Sequence, residues 1–212
     1  MKILRRTLYL ILFIVVVLLG YYRFWFLRMP ARNIPHNEHV FVSPANGKIV
    51  SVAKWNRNSL VVTKGDDGAI NVWTKDVDTA GTIVSIQMNV FNAHYQRAPV
   101  SGRVIAENYV KGSFNNAVSM SNEYGIRFEN EHNEFLMQSG SGKKYKVIQI
   151  AGLLARRIVS YAEPGSEVKQ GDVIGLIRMG SQVTVIFPHD VEVAVKNGDI
   201  VTDGESVLAI DK

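Results

Sequence analysis

Beyond residue 39 the chain reads as one short β-branched run after another, each closed by Gly, Asn, Asp or Pro. Runs this short cannot supply the long apolar stripes of a helical bundle, and they point to a sheet-built domain. The pattern predicts strands over Lys48–Ala53, Ser59–Lys64, Ala69–Trp73, Gly81–Met88, Gly102–Tyr109 and Tyr124–Glu129. Further strands are predicted over Phe135–Gln138, Lys144–Ile150, Val173–Ile177, Val183–Phe187 and Val207–Ile210. Only Ala151–Tyr161, AGLLARRIVSY, spaces its apolar residues as a helix does, with Arg156 and Arg157 outward. The fold class is therefore mainly β (α+β), a compact multi-stranded β domain with few helices. Two internal echoes support hairpin units. PANGKIV (44–50) resembles PVSGRVI (99–105), and EVKQGDVIGLI (167–177) is echoed by VKNGDIV (195–201).

The N-terminus is different in kind. Thr7–Tyr22 is 16 residues without a charge. Counted on to Leu27, past Arg23, the stretch has 21 residues and a helical length of about 31 Å, enough to cross a bilayer if Arg23 snorkels. Tyr21, Tyr22 and Trp25 suit an aromatic interface belt, and no small-x-small cleavage site follows. The reading is a retained transmembrane anchor over 1–28. Residues 29–38, with Pro30 and Pro35, form an extended connector, and the domain proper spans 39–212.

Charge separates these parts. Residues 1–32 hold six basic residues and no acid, leaving 18 basic against 19 acidic over 33–212. The basic pI thus belongs to the anchor region, and the body has no cationic excess for nucleic acid. The absence of cysteine excludes disulfides, thiolate nucleophiles and Cys-ligated zinc.

Several constellations have plain readings. SGSGKK (139–144) lacks the first Gly and the final Ser or Thr of a phosphate loop and reads as a hairpin turn. Glu129, Glu131, His132 and Glu134 fall between two strand patterns and read as a solvated hairpin tip. No chemistry is assigned to His36, His39 or His189, and no metal is expected. His94, in NAHYQRAPVSG, ends a strand just before a Pro-anchored turn and is placed to aim a side chain. Gly180-Ser181 is one of four Gly-Ser steps, and opens an apolar strand in RMGSQVTVIFP.

In order along the chain, six blocks resemble the phosphatidylserine decarboxylase proenzyme family, of the short membrane-anchored type. They are FLRMPARNIP after the anchor, SPANGKIV (43–50), NAHYQRAPVSG (92–102), KGSF…SNE (111–123), QIAGLLARRI (149–158) and IRMGS (177–181). The ordered set spans nearly the whole chain, although no single block is decisive.

The resemblance implies a self-cleaving, pyruvoyl-dependent lyase. Ser181 would attack the Gly180 carbonyl, and the resulting ester would eliminate to leave a pyruvoyl cap. That yields a β chain, 1–180, and an α chain, 181–212, which stay associated. Glycine before the serine tolerates strain and leaves the hydroxyl room. His94 is the implied base, by nucleophile–base logic. The pyruvoyl ketone would condense with the serine amine of phosphatidylserine and take up the electrons released with CO₂, as PLP does elsewhere, leaving phosphatidylethanolamine. Neither metal nor PLP is implied. The implied partners are the phospholipid and the membrane, with no nucleic acid, a homodimer staying open and the cytoplasmic face of the cell membrane as the location.

Four departures stand out. Asn46 replaces the family's Asp, the acid that would support the histidine, so Asn46→Asp is expected to speed processing. Met179 replaces Phe, and Gln182 and Tyr124 stand where Arg is frequent. Two alternatives follow. One is a cleavage-deficient lipid-binding or scaffold protein. The other is an anchored barrel-sandwich adaptor, which would need a long heptad hairpin that the sequence lacks.

Overall fold

The structure is a computed structural model that describes residues 2–57, 70, 72–114, 124, 126, 128–152, 157–178 and 181–212, with Ser181 described by its backbone. Helix α1, Lys2–Gly20, runs into a π-helical turn, Tyr21–Phe26. No residue of α1 is buried, and Lys2–Phe26 is long and apolar enough to cross a membrane.

The remainder is mostly strand. In chain order come β1 Val40–Val42, β2 Gly47–Asn56, β3 Ala80–Gln87, β4 Tyr95–Arg97 and β5 Gly102–Val110. Next are β6 His132–Ser139, β7 Lys144–Ala151, β8 Arg157–Ser160, β9 Glu167–Val168 and β10 Val173–Arg178. The last are β11 Ser181–Pro188, β12 Val191–Val193, β13 Ile200–Val201 and β14 Val207–Asp211. An eight-stranded curled sheet has the order β13-β2-β3-β11-β7-β6-β5-β9. Two three-stranded sheets, β1-β14-β12 and β4-β10-β8, complete the domain.

The central strands are buried on both faces, which is why they read as unbroken apolar runs. Along β11, Val183, Val185 and Phe187 join one core with Phe41, Tyr145 and Val147. Ile186 joins the opposite core with Trp55, Trp73, Ile83, Ile148 and Ile150. Phe41 meets both Tyr145 and Phe187 edge-on, at 5.2 and 5.3 Å between ring centroids. The sequence echo also has a structural cause. Gly47 and Gly102 each open a strand where a Cβ would lie 2.3 Å from the Gln87 carbonyl oxygen or 2.0 Å from that of Gln138. Only glycine fits either place.

The mainly β reading stands, and SGSGKK is the β6–β7 turn, with Gly142 at φ +88°. Three local expectations are corrected. Residues 70 and 72–74 are helical, not strand. None of the described residues in 124–129 is in a strand. Ala151–Tyr161 is not a helix in its described part, because Ala151 ends β7 and Arg157–Ser160 pairs antiparallel with β10. A short apolar run has too few turns for periodicity to separate helix from strand, and β-branched Ile158 and Val159 favour the sheet. The predicted strand over Ser59–Lys64 lies outside the described residues.

Candidate active site

His94 ends the β3–β4 turn and is fully buried. Its Nδ1 lies 2.8 Å from the Asn92 carbonyl oxygen. A carbonyl can only accept, so Nδ1 carries the proton and Nε2 presents its lone pair. That Nε2 is buried and has no hydrogen-bond partner among the described residues. The Phe26 ring, from the end of the apolar N-terminal segment, covers the imidazole at 4.0 Å between centroids. Burial lowers the His94 pKa to about 4, the Asn92 bond opposing and the Arg28 guanidinium assisting, so the ring is neutral at pH 7.

The fold carries His94 to the strand that leads toward Ser181. The His94 carbonyl accepts from the Ile177 N–H at 3.2 Å, and β4 pairs with β10 next to it. β10 and β11 follow one another in sequence but belong to different sheets. Met179 and Gly180, and with them the expected scission point, lie outside the described residues. Ser181 opens β11 opposite Ala151 of β7.

A second family-like block meets the His94 block here. Gln96 Nε2 donates to the His94 carbonyl at 2.7 Å, and Gln149 Nε2 donates to Gln96 Oε1 at 2.7 Å. Asn133 Nδ2 continues the chain to Gln149 Oε1 at 3.2 Å and to Glu107 at 2.9 Å. This buried amide ladder joins NAHYQRAP to QIAG and fixes the His94 backbone.

Asn46 lies next to this loop but not on the imidazole. Its Nδ2 donates to Asp203 Oδ1 and makes a long 3.5 Å contact with the Ala93 carbonyl. Asp203 is the residue that sequence reasoning missed. It is 1% exposed and pairs with Arg32 at 2.5 Å and Arg97 at 2.7 Å. The Gly204 N–H donates to the Ser43 carbonyl at 2.8 Å, which docks the 203–206 turn on the SPANG segment. In VTDGES an Asp before Gly has the composition of a solvated turn, and no sequence signal distinguishes it. Asp76 reaches Lys146 and Asp78 reaches His189, so the described contacts place neither acid on His94. Gln182 and Tyr124 are both buried.

The acidic cluster read as a solvated tip is corrected. His132 and Glu134 lie within β6 and are only 5% exposed each. The strand begins earlier than its hydrophobic pattern suggests, and Trp73 covers His132 edge-on at 5.0 Å. Glu134 accepts from Lys146 at 2.9 Å and faces His132 Nε2 at 3.6 Å. Burial works against its charge, yet His132 and Lys146 outweigh it and hold the carboxyl below the usual range. Among the described residues, Asp78, His189 and Asp190 form a group that could hold a metal ion. His189 already pairs with Asp78, and Asp190 with Lys143.

Comparison with known proteins agrees with the family resemblance. A family model described as phosphatidylserine decarboxylase matches residues 21–209. The phosphatidylserine decarboxylase proenzyme of Geotalea uraniireducens is 37% identical over 186 residues, covering 88% of this chain and 78% of its own. That of Desulfotalea psychrophila is 35% identical over 198 residues, covering 93% and 83%. The Wolbachia pipientis proenzyme is 36% identical over 185 residues, covering 87% and 74%. The chain belongs to the phosphatidylserine decarboxylase family.

Proposed function

We propose that this protein is a membrane-anchored, pyruvoyl-dependent decarboxylase that converts phosphatidylserine to phosphatidylethanolamine after cutting itself between Gly180 and Ser181. Family membership supports the activity. The observation that carries the mechanism is the buried, neutral His94, whose Nε2 has no hydrogen-bond partner among the described residues.

His94 Nε2 takes the proton of Ser181 Oγ as that oxygen bonds to the Gly180 carbonyl carbon. The 180–181 C–N bond breaks, the Ser181 nitrogen leaves as a protonated amine, and an ester links the two residues. Removal of the Ser181 Cα proton expels Gly180 as a carboxylate and leaves dehydroalanine. Hydrolysis releases ammonia and leaves the pyruvoyl cap on the α chain. The two chains stay together because β11 is hydrogen-bonded to β3 on one edge and β7 on the other. β14 likewise pairs with β1, and β13 with β2.

The setting fits such a cap, since His94 is uncharged and the neutral amides of Gln96 and Gln149 hold its loop. Once formed, the ketone supplies the electron sink for loss of CO₂. His94 is held where it can return a proton, and Phe26 screens it from water. Asp203 acts as a positioning residue by fixing Asn46, which braces the Ala93–His94 backbone. This revises the role of Asn46. An aspartate there would lose both donated contacts and face Asp203, so Asn46→Asp alone is now expected to slow processing.

The cytoplasmic face is part of the proposal, tested by protease access to residues 39–212 in inside-out vesicles. The activity itself is tested with carboxyl-labelled phosphatidylserine. The full chain should release labelled CO₂ and Ser181→Ala should release none. Absence of release from the full chain, or equal release from the variant, overturns the reading.

A further inference from the structure

The turn that delivers His94 is built to push an aromatic ring outward. The Asn89 N–H donates to Asn92 Oδ1 at 2.8 Å, and the Phe91 N–H donates to Asn89 Oδ1 at 2.9 Å. The Asn92 N–H closes the turn on the Asn89 carbonyl at 3.1 Å. With both asparagines committed inward, Phe91 is left 66% exposed. Burial elsewhere in the domain gives this ring no reason to face outward.

The same turn is tied to the end of the apolar N-terminal segment. Tyr21 Oη donates to the Val90 carbonyl at 2.7 Å, and Arg28 Nη2 donates to the Phe91 carbonyl at 2.7 Å. Phe24, Trp25 and Met29, from the segment's end, are also exposed apolar residues. Arg28 lies over the Trp25 ring at 4.4 Å. Phe91 therefore extends an apolar surface that begins with a helix able to cross a membrane, of which no residue in Lys2–Gly20 is buried.

We infer that the 89–92 turn is a second membrane contact, in which Phe91 enters the headgroup–acyl boundary of the lipid bilayer beside the anchor. An aromatic ring on a polar turn suits that layer, and Arg28 at the same level suits anionic headgroups. The contact would hold His94, three residues further on, at headgroup depth. The inference rests on the anchor reading, and on the decarboxylase reading only for the use made of His94.

Because the chain has no cysteine, single thiols test both readings separately. The full-length Phe91→Cys and Val15→Cys proteins would each carry an NBD fluorophore in phosphatidylcholine–phosphatidylglycerol vesicles, with nitroxide lipids labelled near the headgroup or deep in the tail. Phe91 is exposed, so its replacement removes no core contact. The probe at 91 should be blue-shifted and quenched most by the shallow nitroxide, while the probe at 15 should be quenched most by the deep one. Quenching at 15 with aqueous emission at 91 overturns the inference and leaves the anchor standing. Blue-shifted but unquenched emission at 91 means a protein partner or second copy covers the ring, and overturns it as well. No quenching at 15 removes the anchor and the inference together.

Discussion

Two buried histidines share one local design. Each places Nδ1 2.8 Å from the carbonyl two residues earlier, His94 on Asn92 and His132 on Asn130. Each lies against an aromatic ring, Phe26 at 4.0 Å for His94 and Trp73 at 5.0 Å for His132. They part at Nε2. His132 faces Glu134, itself bound to Lys146, whereas His94 Nε2 is buried with no partner among the described residues. A histidine engaged at both nitrogens holds structure together. A desolvated lone pair with no partner among the described residues is costly to keep, which is what supports the proposed role of His94 as a base.

Substitution should divide the pair most sharply. His94→Gln is expected to slow self-cleavage by about 10²–10⁴, the usual worth of a positioned base. His132→Gln should cleave at close to the normal rate. Time courses of the β chain on gels check this, and equal slowing in both variants would abolish the distinction.

The next effect concerns what holds the His94 loop. Asp203→Asn leaves Arg32 and Arg97 facing an amide, at an expected cost of about 3–5 kcal/mol in urea denaturation. The exchange Asn46→Asp with Asp203→Asn returns one carboxylate to the cluster. It should recover most of both stability and processing rate, and recovery of stability alone would confine Asp203 to folding.

Acid should act on His94. The His94 pKa falls from 6.5 to about 4 on folding, so the unfolded chain binds the extra proton. Stability is then complete above pH 6.5 and lost as pH falls from 6.5 toward 4, by about 3 kcal/mol. His94→Gln should flatten that portion of the denaturation profile and His132→Gln should not. The smallest effect is His132→Gln at neutral pH, about 1–3 kcal/mol for leaving Glu134 short of a partner.

Much of this architecture was legible in the chain. Eight of the predicted strands overlap observed ones, because doubly buried strands announce themselves as apolar runs. The short edge pieces β1, β4, β9, β12 and β13 were not foreseen, since two or three residues carry no period. His94 was legible as a candidate from its place before a turn. Its burial was not, because that depends on Phe26, far away in sequence. Asp203 and the buried Glu134–Lys146 pair escaped for a related reason. Charged residues read as solvated until the fold supplies the countercharge, here from Arg32, Arg97 and Lys146.

The central claim is that Gly180-Ser181 is cut and that Ser181 becomes the cofactor. Intact mass of the purified full-length protein tests it most directly. The account predicts two species, residues 1–180 and residues 181–212, the latter beginning with a pyruvoyl group in place of serine. A single uncut chain of 212 residues after prolonged incubation would contradict it.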